Sequence, residues 1–579
     1  MMNQSNQTQS PNNVSLLISQ SRTNTLGNKT GTWRFVRPTY KEKTAPCTNA
    51  CPLGIDIAKV EMYASKKDYQ NALNTLLMEN PFPAVCGRVC FHPCESACNR
   101  QFLDQSVGIH HIERFVGNWG LNNISSQLNY PALNGAKICI IGAGPAGLSV
   151  AYFARHLGYR CDIFEKSSRP GGLLMSGIPS YRLPDRILLD ELQRLNNDGI
   201  QFHFQHTLSM EQLKSLKQHY DAIFLCCGDD APISLKIIGE HLTIDGLNLL
   251  HQIRTQKAPP IEGTVAVIGG GNTAIDVARS LLRMGANPII VYRRTRKEMP
   301  AHPHEIEAAL DEGIALKECV APTAIEKKTH FQQITLQIMK ATGNSRDGRQ
   351  TYVPDDNRME TMQVNHVISA IGAEMDIMWH NDQWDLSLSH CQMKQIGDLP
   401  VFWCGDLTTS EKTVTHAFAS GKQAVISLDV LRNSGIDKMA TYFNQCQVGD
   451  GPALSFEMYH HEGKRAKLNN NDIVQFDRVN TAYFPSIPAT QVKKRSKENS
   501  ISSFEEVITD FDESQMIHEA SRCFNCGTCN DCDTCRIFCP EMAIQWDQEN
   551  RYILMDYCKG CGICIEECPR DAMDLEVEP

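Results

Sequence analysis

Two cysteine runs of identical spacing stand near the end of this 579-residue sequence: Cys529, Cys532, Cys535 and Cys539-Pro540, then Cys558, Cys561, Cys564 and Cys568-Pro569. Three thiolates at i, i+3 and i+6 can wrap one iron–sulfur cube on a tight loop, while the fourth reaches across to a second cube. The doubled spacing therefore predicts two [4Fe-4S] clusters. One would use Cys529, Cys532, Cys535 and Cys568, the other Cys558, Cys561, Cys564 and Cys539. Zinc sites usually come as two separated C-x2-C pairs, and disulfides belong to oxidising compartments, so both alternatives fit less well. Cys523 and Cys526 extend the first run backwards as RCFNCGTC. They offer an alternative register or a further metal site, although the x3-C-P ending favours Cys529 to Cys539 as the ferredoxin-type ligands.

A second group of thiols lies near the other end. APCTNACP carries Cys47 and Cys51, and AVCGRVCFHPCESAC carries Cys86, Cys90, Cys94 and Cys98, each about one helical turn from the next. Six such thiols in a reducing compartment are poor disulfide candidates and good cluster ligands. The stretch between the two groups, IAKVEMYASKKDYQNALNTLLME, repeats its apolar residues at helical spacing.

Two glycine fingerprints mark dinucleotide chemistry. KICIIGAGPAGLSVAYFARHLGYRCDIFEK reads as strand, turn, helix and strand, with Gly142, Gly144 and Gly147 in the turn and Glu165 ending the second strand. Such glycines allow a tight turn and close backbone approach to a pyrophosphate at a helix N-terminus, and the acid can accept from ribose hydroxyls. TVAVIGGGNTAIDVARSLLRMGANPIIVYRRTRKEMP repeats the pattern with Gly269, Gly271, Asn272 and Ala274, but its second strand ends in Arg293-Arg294 instead of an acid. Arginines there suit the 2′-phosphate of NADPH; the competing reading is a solvated basic turn.

These sites need elements to position them. Apolar strands alternating with glycine turns and helices predict a multidomain α/β protein. The expected order is a disordered polar tail (1–30), a helical iron–sulfur domain (31–130), a first Rossmann-like part (131–258), an inserted second dinucleotide domain (259–375), a return to the first (376–435), a polar linker (436–520) and a bacterial-type ferredoxin domain (521–579). A net charge of −10 argues against a dedicated nucleic-acid binder. The start lacks the basic and apolar blocks of a signal peptide, and no run of 18 apolar residues spans a membrane, so a cytoplasmic location is expected.

The segments EKSSRPGGLLMSGIPSYRLP, VYRRTRKEMP and VFWCGDLTTSEKTVTHAFASGKQA resemble the glutamate synthase small-subunit-like flavoproteins. The resemblance covers roughly residues 47–431. It implies FAD at the first fold and NADPH, or NADH, at the second. Asp406 of the Gly405-Asp406 pair would hold the FAD ribityl chain, and the Thr413-Val414 turn would face the flavin ring. An aspartate capping the next helix is the competing reading for Asp406. The resemblance further implies two N-terminal clusters, one held by Cys51, Cys90, Cys94 and Glu113, the other including Cys47 and Cys98. The family's C-x2-C pair upstream of Cys47 is missing, however, and WRFVRPTYKE stands in its place. Cys86 is a candidate third ligand for that second cluster, so one or two N-terminal clusters are expected.

Together these parts imply an NAD(P)H:acceptor oxidoreductase in which NADPH reduces FAD and [4Fe-4S] clusters conduct single electrons to or from a redox protein; neither direction is excluded. That partner could be a ferredoxin or, by likeness to the flavoprotein partner of dissimilatory sulfite reductase, that reductase; self-association into a homodimer stays open. No side-chain acid or nucleophile is needed as a catalytic residue. The electron-input subunit of a glutamate synthase and a non-catalytic redox scaffold or sensor are the rival readings.

Overall fold

A computed structural model describes residues 34–123, 130–208, 218–229, 231–344, 350–374, 387–388, 391–396, 398–409, 411–460, 468–546 and 551–578, with isolated positions at 29, 31, 212, 215 and 216. The expected tail, residues 1–30, lies outside them except for Lys29.

Two parallel sheets form the middle of the chain. The first runs Leu399–Trp403, Ala222–Leu225, Lys137–Ile141, Arg160–Glu165, Ile200–Phe204, all parallel, with Cys391–Ile396 and then Ser387–Leu388 added antiparallel beyond Leu399–Trp403. Its inner strands AIFL and LPVFW are buried throughout, as strands covered by helices on both faces must be. Between Leu225 and Leu399 the chain leaves to build the second sheet, Ala315–Lys317, Asn287–Val291, Thr264–Ile268, His366–Ser369 and Ile244–Asp245, again all parallel. Each sheet packs a helix directly behind its glycine turn, Pro145–His156 in the first and Asn272–Arg283 in the second.

The N-terminal cysteines sit among short helices: Pro46–Ala50, Ile57–Ser65, Tyr69–Leu77, Pro83–Val89, Pro93–Ser96 and Ile109–Asn123. Pro83–Val89 and Ile109–Asn123 cross at glycines. A Cβ on Gly87 would lie 2.5 Å from the Arg114 amide nitrogen, and one on Gly117 would lie 2.5 Å from that of Ala84. Only two hydrogen side chains let the backbones approach this closely, which brings the Cys86–Cys90 segment against Glu113.

Buried polar ties hold this unit to the first sheet's helices. Glu191, fully buried, accepts from the amides of Ala84 and Val85 at 2.9 and 3.0 Å, filling the open N-terminus of Pro83–Val89. Lys422, on the long helix Val414–Ser434, donates to Glu79 at 2.6 Å, and both are buried. Glu79 also accepts from Ser455 Oγ at 2.5 Å and the Phe456 amide at 2.9 Å.

The two chain ends interleave. Within residues 31–130, expected as helical, the first strand is Val36–Tyr40, antiparallel to Met573–Val577 at the very end. The last strand would otherwise leave a row of amides and carbonyls unpaired, and Val36–Tyr40 supplies the missing edge. Residues 436–520, expected as a surface linker, hold the helices Met439–Cys446, Phe456–His460, Lys497–Ile501 and Glu513–Ser521 and bury Phe443, Phe456, Val474 and Met516. Their apolar anchors are widely spaced among polar residues, so no window of sequence looks like core.

Replacing Lys422 with Met should strand the Glu79 carboxylate in the interior. Breaking a buried pair this way costs about 3–5 kcal/mol, so the denaturant midpoint for release of the flavin fold from the N-terminal helices should fall clearly. A midpoint matching the parent's would show that the pair contributes nothing there.

Candidate functional site

A cleft of about 310 Å³ lies between the two sheets and is lined from both, by Gly142, Gly144 and Glu165 on one side and Asn272, Thr273 and Asp276 on the other. Gly142 has φ +102°, and a Cβ there would stand 2.4 Å from the Cys226 carbonyl oxygen. Glycine is the residue that fits such a turn. Gly144 faces open space, its nearest neighbour Gly172 Cα at 4.0 Å from a built Cβ, which leaves room for a phosphate to approach. Glu165 accepts from the amides of Ala143 and Ser167, both at 2.8 Å. Each carboxylate oxygen keeps a second lone pair, so ribose hydroxyls can still donate to it.

Asp406 lies in the same cleft beside Thr413 and Val414. Burial, and then the nearby Asp229, push its carboxyl up to about 6. Asp229 itself is paired with Lys412. The capping role weighed for Asp406 belongs to Thr413, whose Oγ1 accepts from the His416 amide at 3.2 Å at the start of Val414–Ser434. Asp406 is thus left aimed at the cleft, where hydroxyl donors would satisfy it.

In the second fold Gly269 (φ +142°) abuts the Ala370 carbonyl, and Gly271 faces open space. Ala274 is buried behind the turn, and Asn272 Oδ1 accepts from the His302 amide at 3.0 Å. Arg293 is exposed and Arg294 half-buried on the turn that follows strand Asn287–Val291. Among the described residues neither forms an ion pair with a carboxylate; Arg294 shares a side-chain hydrogen bond with Tyr292.

Next to this cleft, Cys51, Cys90, Cys94 and Glu113 line one enclosed cavity together with Thr415 and Glu61. In two places consecutive residues line the cleft and the cavity. Val89 faces the cleft where Cys90 faces the cavity, and Val414 faces the cleft where Thr415 faces the cavity. Cys90 Sγ lies 3.8 Å from Thr415 Oγ1. Glu113 is no exposed helix carboxylate: it is buried, accepts from Asn80 Nδ2 at 2.8 Å, and is raised by burial to about 8. Cys86 is not brought to Cys47 and Cys98. It stands on the Asn80 and Glu113 side, with its Sγ 3.5 Å from Asn80 Oδ1.

At the C-terminal end one cavity is lined by Cys529, Cys532, Cys535 and Cys568, and another by Cys539, Cys558, Cys561 and Cys564. The two short helices Thr534–Ile537 and Ile563–Glu566 run side by side, so each delivers its trailing cysteine to the other loop's cavity. The N-terminal strand contributes here too, with Tyr40 Oη 3.3 Å from Cys535 Sγ and Arg34 Nη1 donating to the Cys558 carbonyl at 3.1 Å.

The donor sets fit iron–sulfur cubes. Burial pushes the thiols of Cys51 to about 11 and of Cys526 and Cys564 to about 12, and those of Cys47, Cys86 and Cys94 well above the ordinary value. Bare thiolates would be unstable at such positions, whereas bound iron holds cysteines deprotonated. Backbone amides of His92, Ala543 and Ala572 point at the sulfurs of Cys90, Cys539 and Cys568, at 3.3, 3.3 and 3.4 Å, the kind of hydrogen bond that tunes cluster potential. Thr415, Asn80, Tyr40 and Arg34 carry no motif; their roles follow from segments far apart in sequence meeting here.

Comparison with known proteins bears on the domains that carry these residues. Residues 136–421 match the family model of pyridine nucleotide-disulphide oxidoreductases, residues 39–124 that of dihydropyrimidine dehydrogenase domain II, 4Fe-4S cluster, and residues 551–574 a 4Fe-4S binding domain. The chain is 33% identical over 433 residues to the NADP(+)-dependent formate dehydrogenase subunit beta of Moorella thermoacetica, covering 69% of this chain and 61% of that protein. It is 27% identical over 508 residues to the NADPH-Fe(3+) oxidoreductase subunit beta of Geobacter sulfurreducens, covering 83% and 75%. To the NAD-dependent dihydropyrimidine dehydrogenase subunit PreT of Escherichia coli it is 29% identical over 392 residues, covering 66% and 89%. The chain thus spans less than two thirds of the length of the first of these relatives. Fold and matches define a pyridine-nucleotide oxidoreductase architecture with FAD, NADPH and [4Fe-4S] clusters as its cofactors. They support the general class of NADPH-dependent iron–sulfur flavoproteins expected from the motifs.

Replacing Glu113 with Ala should alter the spectrum of one N-terminal cluster while both C-terminal clusters keep theirs, as followed by electron paramagnetic resonance. Identical spectra in mutant and parent would leave Glu113 a buried acid without a role at a cluster.

Proposed function

We propose that this protein exchanges electrons between NADPH and a separate redox protein, with bound FAD coupling the two-electron nucleotide to one-electron iron–sulfur carriers. The observation that carries the reading is that the consecutive residues Val89–Cys90 and Val414–Thr415 line, in turn, the dinucleotide cleft and the nearest cysteine cavity. The chain's own groups bind and orient. The turns at Gly142 and Gly269 seat pyrophosphates, Glu165 and Asp406 accept hydroxyls, and Arg293 and Arg294 clamp a 2′-phosphate. The relatives named above are subunits by their printed names, which favours an acceptor or donor on another chain. Ile537 and Met542, each 70% exposed, flank Cys539 on the ferredoxin unit and suit a partner's docking face.

Dissimilatory sulfite reductase and a ferredoxin are the candidate partners, and co-purification from the native host tests them. Capture of a large amidotransferase subunit instead would assign the chain to glutamate synthase. No helix among the described residues is long and apolar enough to cross a membrane; a cytoplasmic site is part of the proposal and rests on the many free thiols. Anaerobic addition of NADPH should bleach the flavin and then reduce an artificial dye. A loaded protein that does neither would be a scaffold or sensor.

Replacing Arg293 and Arg294 together should raise KM for NADPH far more than for NADH. Charge-assisted hydrogen bonds contribute about 1.5–3 kcal/mol each, so one lost contact lowers kcat/KM by about tenfold or more. Flavin content should stay at the parent level. Equal discrimination in mutant and parent would make the arginines a solvated turn.

A further inference from the structure

The sequence motif that this function leaves unused is the pair Cys523 and Cys526, and the structure carries it away from the ferredoxin cysteines. The two thiols sit against the N-terminal helices instead, some 420 residues back along the chain. Cys47 lies within electrostatic reach of Cys98, Cys523 and Cys526, and Cys523 within reach of Cys98 and Cys526. Asn99, next to Cys98, donates from Nδ2 to Cys526 Sγ at 3.5 Å, and the Asn525 amide donates to Cys523 Sγ at 3.3 Å. Cys47, Cys98 and Cys526 are buried and Cys523 partly so, and none is in a disulfide.

The loop is held in this place by more than packing. Arg522, fully buried, pairs with Glu519 at 2.6 Å and Asp104 at 3.0 Å and donates to the carbonyls of Gln105, Ser106 and Ile487. Arg100 donates to the Arg522 carbonyl at 3.0 Å, Asn525 Nδ2 to that of Ala58 at 2.9 Å, and the Lys43 amide to that of Gly527 at 3.0 Å. Every guanidinium edge of Arg522 has a partner on the N-terminal side or on the strap that covers it. A guanidinium buried this completely is stable only if so satisfied, so the position of Cys523 and Cys526 is specified.

We propose that Cys47, Cys98, Cys523 and Cys526 together ligate a second N-terminal [4Fe-4S] cluster, half of whose ligands come from the opposite end of the chain. This rests on the iron–sulfur reading above and goes beyond it by assigning ligands that no upstream C-x2-C pair supplies. The exchange is reciprocal: Val36–Tyr40, within the WRFVRPTYKE segment that stands where such a pair would be, forms an edge strand of the ferredoxin unit. Glu61 lines the Cys51, Cys90, Cys94 cavity and acts electrostatically on Cys523, and the Cys529 loop begins three residues after Cys526.

The test is metal analysis with low-temperature electron paramagnetic resonance and Mössbauer spectroscopy on the full chain, purified and reconstituted anaerobically. The parent should carry about 16 irons, four for each of four cubes. The double variant Cys523→Ser, Cys526→Ser should carry about 12, losing one cluster signal while keeping its flavin and both ferredoxin signals as proof of folding. Cys47→Ser should remove the same signal from the other end of the chain. A parent with about 12 irons, zinc in their place, or a double variant with the parent's full cluster signature would overturn the assignment. Those results would leave NADPH-dependent flavin reduction intact, whereas a parent without flavin or clusters would remove the oxidoreductase reading itself. The iron count of the parent does not depend on any variant folding.

Discussion

The ion pair of Lys422 with Glu79 sets the distance on which the rest of the molecule depends. Lys422 belongs to the helix whose first turn, Thr413 to Thr415, forms the wall of the dinucleotide cleft. Glu79 lies in the turn that follows the helix Tyr69–Leu77 of the N-terminal cysteine-bearing unit. Two charges taken out of water must keep each other, and Glu79 is further held by Ser455 and the Phe456 amide. Glu191 repeats the device a few residues away, filling the amide end of Pro83–Val89 from the flavin fold. Electron transfer between carriers needs fixed, short separations, and buried polar ties are directional where apolar packing alone is not.

A second constraint acts on the chain ends. A ferredoxin unit appended by a free linker would sample many positions, and loop closure would have to be met at every encounter. Here the strand Val36–Tyr40 is part of that unit, Lys43 is buried against Asp571 at 2.6 Å and Asp574 at 2.8 Å, and the 522–527 loop is built into the N-terminal helices. The ends are crossed, so neither cysteine-rich unit completes itself from its own stretch of sequence. This explains why residues 436–520 bury Phe443, Phe456 and Val474 despite their polar composition: the segment is the strap that leads the chain back across the first unit.

The local signals were readable because they are short. A glycine turn after a strand, an acid at the end of the next strand, and thiols at i, i+3 and i+6 each involve a few consecutive residues whose geometry the backbone dictates. Gly142, Gly144 and Glu165 line one cleft, Gly147 packs behind the turn against the Gly142 carbonyl, and the crossed quartets of ferredoxin cysteines line two cavities. Glu113 was visible only by likeness to a family, since one glutamate on an amphipathic helix has no signature; its burial beside Asn80 is a tertiary fact. Cys86, offered by the sequence only as a candidate third ligand, sits on the helix Pro83–Val89 with its Sγ beside Asn80 Oδ1, a placement its spacing could not show.

By itself, then, the sequence determined which chemistry the chain can hold: nucleotides at two glycine turns and iron at clustered cysteines, because those binding geometries are set by covalent neighbours. The tertiary structure alone decided how the sites are joined. Thr415 beside Cys90, Asn99 beside Cys526, and the N-terminal strand beside the last strand are contacts between residues hundreds of positions apart. Nothing in local spacing encodes them, since they arise from burying apolar helices and pairing every interior charge and strand edge at once.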